Sequence, residues 1–158
     1  MPSGRVHFKI EAGLLLPLGV GGILLARGGW LSGKELAVFL LCYVFSSLFL
    51  SPDLDLWGSR ATRRWGIGRV LWYPYSKLFR HRSVSHNLLL GPLTRIVYLG
   101  GLIILGLWGW NALHGSEIKF VGINPRLLGA ALLGLYLPNQ VHIVVDRTWS
   151  RVKRRRRG

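Results

Sequence analysis

Four stretches of the chain are almost free of charge, and basic segments separate them. Ile10 to Ala26 has 17 residues with Glu11 as its single charge, and Leu36 to Leu50 has 15 with none. Leu88 to Trp110 has 23 residues with only Arg95, and Leu127 to Val145 has 19 without Asp, Glu, Lys or Arg. Four buried helices of a soluble all-α protein would need polar faces, and these stretches lack them. A helix crossing a hydrocarbon core of ~30 Å takes roughly 17–25 residues. The pattern therefore predicts an all-α, polytopic integral membrane protein with four transmembrane helices, at about 10–26, 36–50, 88–110 and 127–145. The second is short, roughly 22 Å at ~1.5 Å per residue. It would thin the bilayer locally or extend through Ser51 and Pro52.

Arg5 and Lys9 ahead of the first run give it the outline of a signal peptide. No small-x-small cleavage site follows in Ala26-Arg27-Gly28-Gly29-Trp30, so the run reads as retained. The expected organisation is a single four-helix membrane domain over 1–150, with an interfacial loop at 52–87 and a polybasic tail at 151–158. Within the loop, Ile67 to Phe79 mixes Trp72, Tyr73, Tyr75 and Leu78 with Arg69 and Lys77, as a segment on a membrane surface would. Pro74 argues against one unbroken helix there.

Composition sharpens this picture. Half of the 158 residues are hydrophobic, yet 21 Lys and Arg against 6 Asp and Glu give a net charge of +15. The basic residues are segregated: two precede the first stretch, seven lie between the second and third, and seven follow the fourth. Positive residues stay on the cytoplasmic side. Both termini and the long loop are thus expected in the cytoplasm, with the chain multi-pass in an inner membrane, cytoplasmic or thylakoid. The run Arg151 to Arg157 reads as a contact with anionic lipid head groups. So short a run is a weak basis for nucleic-acid binding. A lone cysteine, Cys42, excludes an intrachain disulfide framework and any multi-Cys zinc motif.

The expected topology gathers potential metal ligands. His7 precedes the first helix, Asp53 and Asp55 follow the second, His81 and His86 precede the third, and His142 and Asp146 close the fourth. All fall on the cytoplasmic side. His142 and Asp146 are four apart and share a helix face, with Asn139 placed to support them. Asp53 and Asp55 are two apart and would point the same way in an extended segment. Pro52 moves the chain out of helix at Ser51, and Ser83 or Ser85 is placed to cap the third helix. Imidazole with carboxylate suits Zn first, then Mn or Fe, as one or two ions. Single residues keep plainer readings: Asp53 can pair with Arg60 or Arg64, and Glu11 with Lys9.

The segments Met1-Pro2-Ser3-Gly4-Arg5-Val6-His7, Ser51-Pro52-Asp53-Leu54-Asp55 and His81-Arg82-Ser83-Val84-Ser85-His86-Asn87 resemble a family of uncharacterised bacterial and cyanobacterial metal-binding proteins. Arg64-Trp65-Gly66 and Trp72-Tyr73-Pro74-Tyr75 fit it too. The order of motifs is similar to that of inner-membrane-associated metal-dependent hydrolases, a group with a LexA-binding member. The resemblance implies His7, Asp53, Asp55, His81 and His86 as metal ligands. Phe8 stands where it implies an acidic residue.

Two functions compete. A metal-dependent hydrolase would act on a lipid or isoprenoid phosphate or ester, with Asp146 or Glu11 as general base. Arg80 and Arg82, with Arg64, would then hold an anionic head group. A non-catalytic assembly factor or accessory subunit would instead use the basic face to dock into a larger membrane complex. An ion channel fits less well, because the charges gather at one end of the spans.

Overall fold

The computed structural model describes residues 4–79, 87–115, 122 and 124–155. Helix α1 spans Gly4–Arg27 and α2 spans Gly33–Phe49. A 3-10 turn at Pro52–Asp55 leads to the short α3, Arg60–Arg64. A second 3-10 segment, Gly66–Leu71, runs into α4, Trp72–Leu78. Two long helices complete the fold, α5 at Leu90–His114 and α6 at Pro125–Arg155. No strand occurs among the described residues.

Among the described residues three helices, not four, are long and apolar enough to cross a membrane: Val6–Arg27, Leu90–His114 and Pro125–Lys153. The expectation of four is corrected at α2, which has 17 residues. At ~1.5 Å per residue it reaches roughly 25 Å, short of a ~30 Å hydrocarbon core. Helix α2 instead packs along α6 over much of its length and against α1. Gly134 of α6 makes that contact close: a Cβ there would lie 2.4 Å from the Phe39 carbonyl oxygen and 2.9 Å from Cys42 Cβ. Small residues let helix backbones approach in this way.

Local chemistry sets where α2 begins and ends. The Ser32 N–H donates to Glu35 Oε2 at 2.7 Å, and the Glu35 N–H donates to Ser32 Oγ at 3.2 Å. This capping box satisfies two orphan donors. Its hydrogen bonds from Ser32, backbone first, hold the Glu35 carboxyl below the usual range. At the other end Pro52 forces the chain out of helix, and the last carbonyls find side-chain donors. Arg64 Nη1 donates to the Leu48 oxygen at 3.1 Å, Trp65 Nε1 to Phe49 at 2.9 Å, and Arg95 Nη1 to Leu50 at 3.1 Å. Two of these donors are cationic, which suits the negative end of the helix dipole.

The segment between α2 and α5 folds into an aromatic core. Leu50, Leu54, Ala61, Trp72 and Tyr75 are buried there, with Trp65, Phe79, Tyr98 and Leu99 packed around them. Trp72 meets Trp65 at 5.2 Å and Tyr75 at 5.5 Å in edge-on contacts, a favoured aromatic geometry. Pro74 sits in the first turn of α4, where its missing N–H breaks no helical bond. Trp72 and Tyr75 point inward, while Ile67, Val70, Leu71 and Leu78 are exposed. Ahead of α5, Asn87 Oδ1 accepts from the N–H groups of Leu89 and Leu90 at 2.9 and 3.3 Å. Ser83 and Ser85 lie outside the described residues.

Candidate metal centre

Helices α1 and α6 each carry an imidazole and a carboxylate four residues apart, His7 with Glu11 and His142 with Asp146. That spacing puts each pair on one helix face. The two faces meet, and all four residues are buried. His7 Nε2 lies 3.1 Å from Asp146 Oδ1, and His142 Nδ1 lies 3.2 Å from Glu11 Oε1. The two imidazoles stack, with centroids 3.8 Å apart and planes at 12°. Helix α2 fixes the arrangement from the side. Tyr43 donates its hydroxyl to the Glu11 backbone oxygen at 2.9 Å, and Ser47 donates to Glu11 Oε2.

This donor set fits a divalent ion. His7, His142 and Asp146 each offer one ligand atom, and the three atoms lie within 4.8 Å of one another. With bonds of about 2.0–2.1 Å, neighbouring ligands of a tetrahedral zinc stand about 3.3 Å apart, close to the His7–Asp146 separation. Among the described residues His7 Nδ1 is buried with no hydrogen-bond partner. Through Nδ1, His142 engages Glu11, which leaves Nε2 to coordinate. A carboxylate on the second nitrogen is the usual way a coordinating histidine is oriented.

The other sequence candidates divide. Asp53 is half-buried and lines a cavity of about 260 Å³ together with His7, His142 and Glu11. Asp55 is buried but does not share its direction. The segment is a 3-10 turn rather than extended, and at about three residues per turn two positions apart diverge instead of aligning. Asn139 does not support His142: it accepts from Arg95 and donates to Ser46 Oγ at 3.0 Å. His81, His86, Arg80 and Arg82 lie outside the described residues.

Arg95 was no site candidate in the sequence, yet it is fully buried. It joins the end of α2, through Leu50, to Asn139 of α6. Asp55 and Asp53 act on it electrostatically. The available signal was its solitude, one charge in 23 apolar residues. Ionisable groups at such depth are expensive and generally functional.

A helical chain able to enter a membrane, with two histidines and an aspartate converging in its interior, has the makings of a metal-binding membrane protein. The chain belongs to the family described as "Uncharacterized metal-binding protein (DUF2227)", which it matches over residues 2–156. It is 34% identical over 132 residues to an uncharacterized protein of Aquifex aeolicus (strain VF5), a match that covers 73% of this chain and 92% of that protein. No solved structure matches it.

Proposed function

We propose that the protein is a membrane-embedded, divalent-metal-dependent hydrolase acting on a lipid or isoprenoid phosphate or ester at the cytoplasmic face. The observation that carries this reading is the buried convergence of His7, His142 and Asp146, two of which, His7 and His142, line a cavity. Three protein ligands leave a coordination position open, the mark of a catalytic rather than a closed structural site. Zinc suits two imidazoles and a carboxylate best, with Mn or Fe as alternatives. Asp53, on the same cavity, is placed to complete the set or to serve a second ion. A divalent ion held there supplies an acidified water and an electrophile for a phosphoryl or carbonyl oxygen. Glu11 is held by Ser47 and His142, so it orients the imidazole, and Asp146, coordinating through one carboxylate oxygen, has its second oxygen as the first choice of general base.

The charge around the site supports the membrane orientation. Lys9, Arg60 and Arg64 line the cavity, and by the positive-inside rule such a basic end belongs on the cytoplasmic side. The exposed Ile67, Val70, Leu71 and Leu78 beside Arg69 and Lys77 suit the surface of an anionic bilayer. Elemental analysis tests the metal: chelator-free wild type should carry a divalent ion that His142→Ala and Asp146→Ala lose. Metal-loaded wild type should then cleave lipid-phosphate or ester substrates, with activity falling to background in His7→Ala/His142→Ala. A metal-free wild type would sink the centre, and equal turnover by that double variant would sink the hydrolase.

A further inference from the structure

The cavity beside the histidines has a second wall of opposite character. Lys9 of α1 and Arg60 and Arg64 of α3 line it together with His7, His142 and Asp53. Arg60 and Arg64 are four apart, so α3 presents both to one side. Arg64 is exposed but anchored. Its Nη1 donates to the Leu48 oxygen at 3.1 Å, and its guanidinium lies over the Phe8 ring, 5.2 Å from the centroid. Those two contacts use one nitrogen and one face of the planar group. Among the described residues the remaining N–H donors stay available, and a guanidinium fork is the side chain best matched to phosphate oxygens. Phe8 also lines the cavity, so the aromatic platform under Arg64 belongs to the same wall.

We infer that Arg60, Arg64 and Lys9 form an anion subsite that takes the phosphate group of a phosphorylated ligand next to the His7–His142–Asp146 centre. This deepens the hydrolase reading, rests on it for the role of the metal, and narrows the substrate class from esters in general to phosphate esters. Charge supports the choice. With a divalent ion in place, the positive groups outnumber the carboxylates Glu11, Asp53 and Asp146, so the site is left cationic and suited to a dianion. A neutral carboxylic ester would leave Arg60 and Arg64 unanswered across the cavity. Size agrees: about 260 Å³ lies below the roughly 300–1,000 Å³ of sites that enclose drug-sized ligands. A phosphate with a few attached carbons fits, and any longer tail must remain outside.

The test uses the full chain in detergent, zinc-loaded and chelator-treated, titrated calorimetrically with inorganic phosphate, dihexanoyl phosphatidate and dihexanoyl phosphatidylcholine. Wild type should bind phosphate and phosphatidate, and phosphatidylcholine at least about tenfold more weakly, because its head group carries its own cation. Arg60→Gln/Arg64→Gln should weaken phosphate binding by at least about tenfold, the scale of losing charge-assisted bidentate contacts, while zinc stoichiometry stays at the wild-type value. Arg60→Gln alone repeats the measurement with the Arg64–Leu48 bond in place, in case the double variant fails to fold. Tighter binding of phosphatidate than of phosphate identifies a lipid head group, and equal binding a free phosphate; both uphold the subsite. Unchanged phosphate affinity in the arginine variants, or equal affinity for phosphatidylcholine, overturns it. Zinc bound without arginine-dependent phosphate binding removes the subsite and keeps the metal centre. The converse result removes the centre and keeps the subsite.

Discussion

At the scale of single residues, the buried cluster separates groups that coordinate from a group that aims them. Glu11 holds His142 through Nδ1 and is itself held by Ser47 and Tyr43. In the proposed centre, removing such an orienting carboxylate costs about 10–100-fold in metal affinity, whereas removing a ligand abolishes binding. Glu11→Ala should therefore retain a weakened zinc site in a competition titration, and His142→Ala should retain none. Complete loss in Glu11→Ala would make Glu11 a ligand. The shared face of His142 and Asp146 was legible in the sequence because a spacing of four on a helix fixes it, whereas His7, expected ahead of the first helix, lies within α1. The divergence of Asp53 and Asp55 was not, since it depends on a 3-10 turn that two residues of separation do not reveal. Arg95 was hidden for a different reason. Its partners Leu50 and Asn139 are 45 and 44 residues away, and no local pattern announces such a contact.

At the scale of elements, the contact between α2 and α6 holds the site together, because α2 carries Ser47 and Tyr43 while α6 carries His142 and Asp146. Gly134 permits it. A methyl group there would overlap the Phe39 carbonyl oxygen and Cys42 Cβ, both backbone-fixed atoms that cannot swing away. Gly134→Ala should cost about 1–3 kcal/mol by overpacking, read as a lower thermal midpoint in detergent. Because the helices would be forced apart above Ser47, zinc affinity should fall with stability. An unchanged midpoint would show that the helices adjust freely. Apolar runs marked all four long helices in the sequence, but their ends moved. The helix predicted over 127–145 extends from Pro125 to Arg155, because arginine-rich sequence is a good helix former once a helix is under way. Length decided the status of α2. Its apolar run has the composition of a span without the reach, and it packs along α6 while Leu41, Val44 and Phe45 stay exposed.

At the scale of the whole molecule, Lys9, Arg60 and Arg64 share an end with the cluster of His7, His142 and Asp146, and this gives the proposed orientation a direct test. Lys77 lies on α4 at the site end and is exposed, and Leu113 lies in the last turn of α5 at the other end and is also exposed. With the native thiol removed by Cys42→Ser, Lys77→Cys and Leu113→Cys each carry one accessible cysteine. A membrane-impermeant maleimide applied to intact cells should label Leu113→Cys at once and Lys77→Cys only after permeabilisation. The physical reason is the cost of moving the arginine-rich face across the bilayer, several kcal/mol for each charge that must cross a lipid core. The opposite labelling order would place the cluster outside the cytoplasm, remove the anionic inner surface as its lipid partner, and require the subsite of Arg60 and Arg64 to draw its phosphate from the other side. Labelling of both positions in intact cells would instead show that α5 does not cross, leaving the apolar surfaces of Val97, Ile104 and Trp108 to be covered by something other than a single bilayer passage.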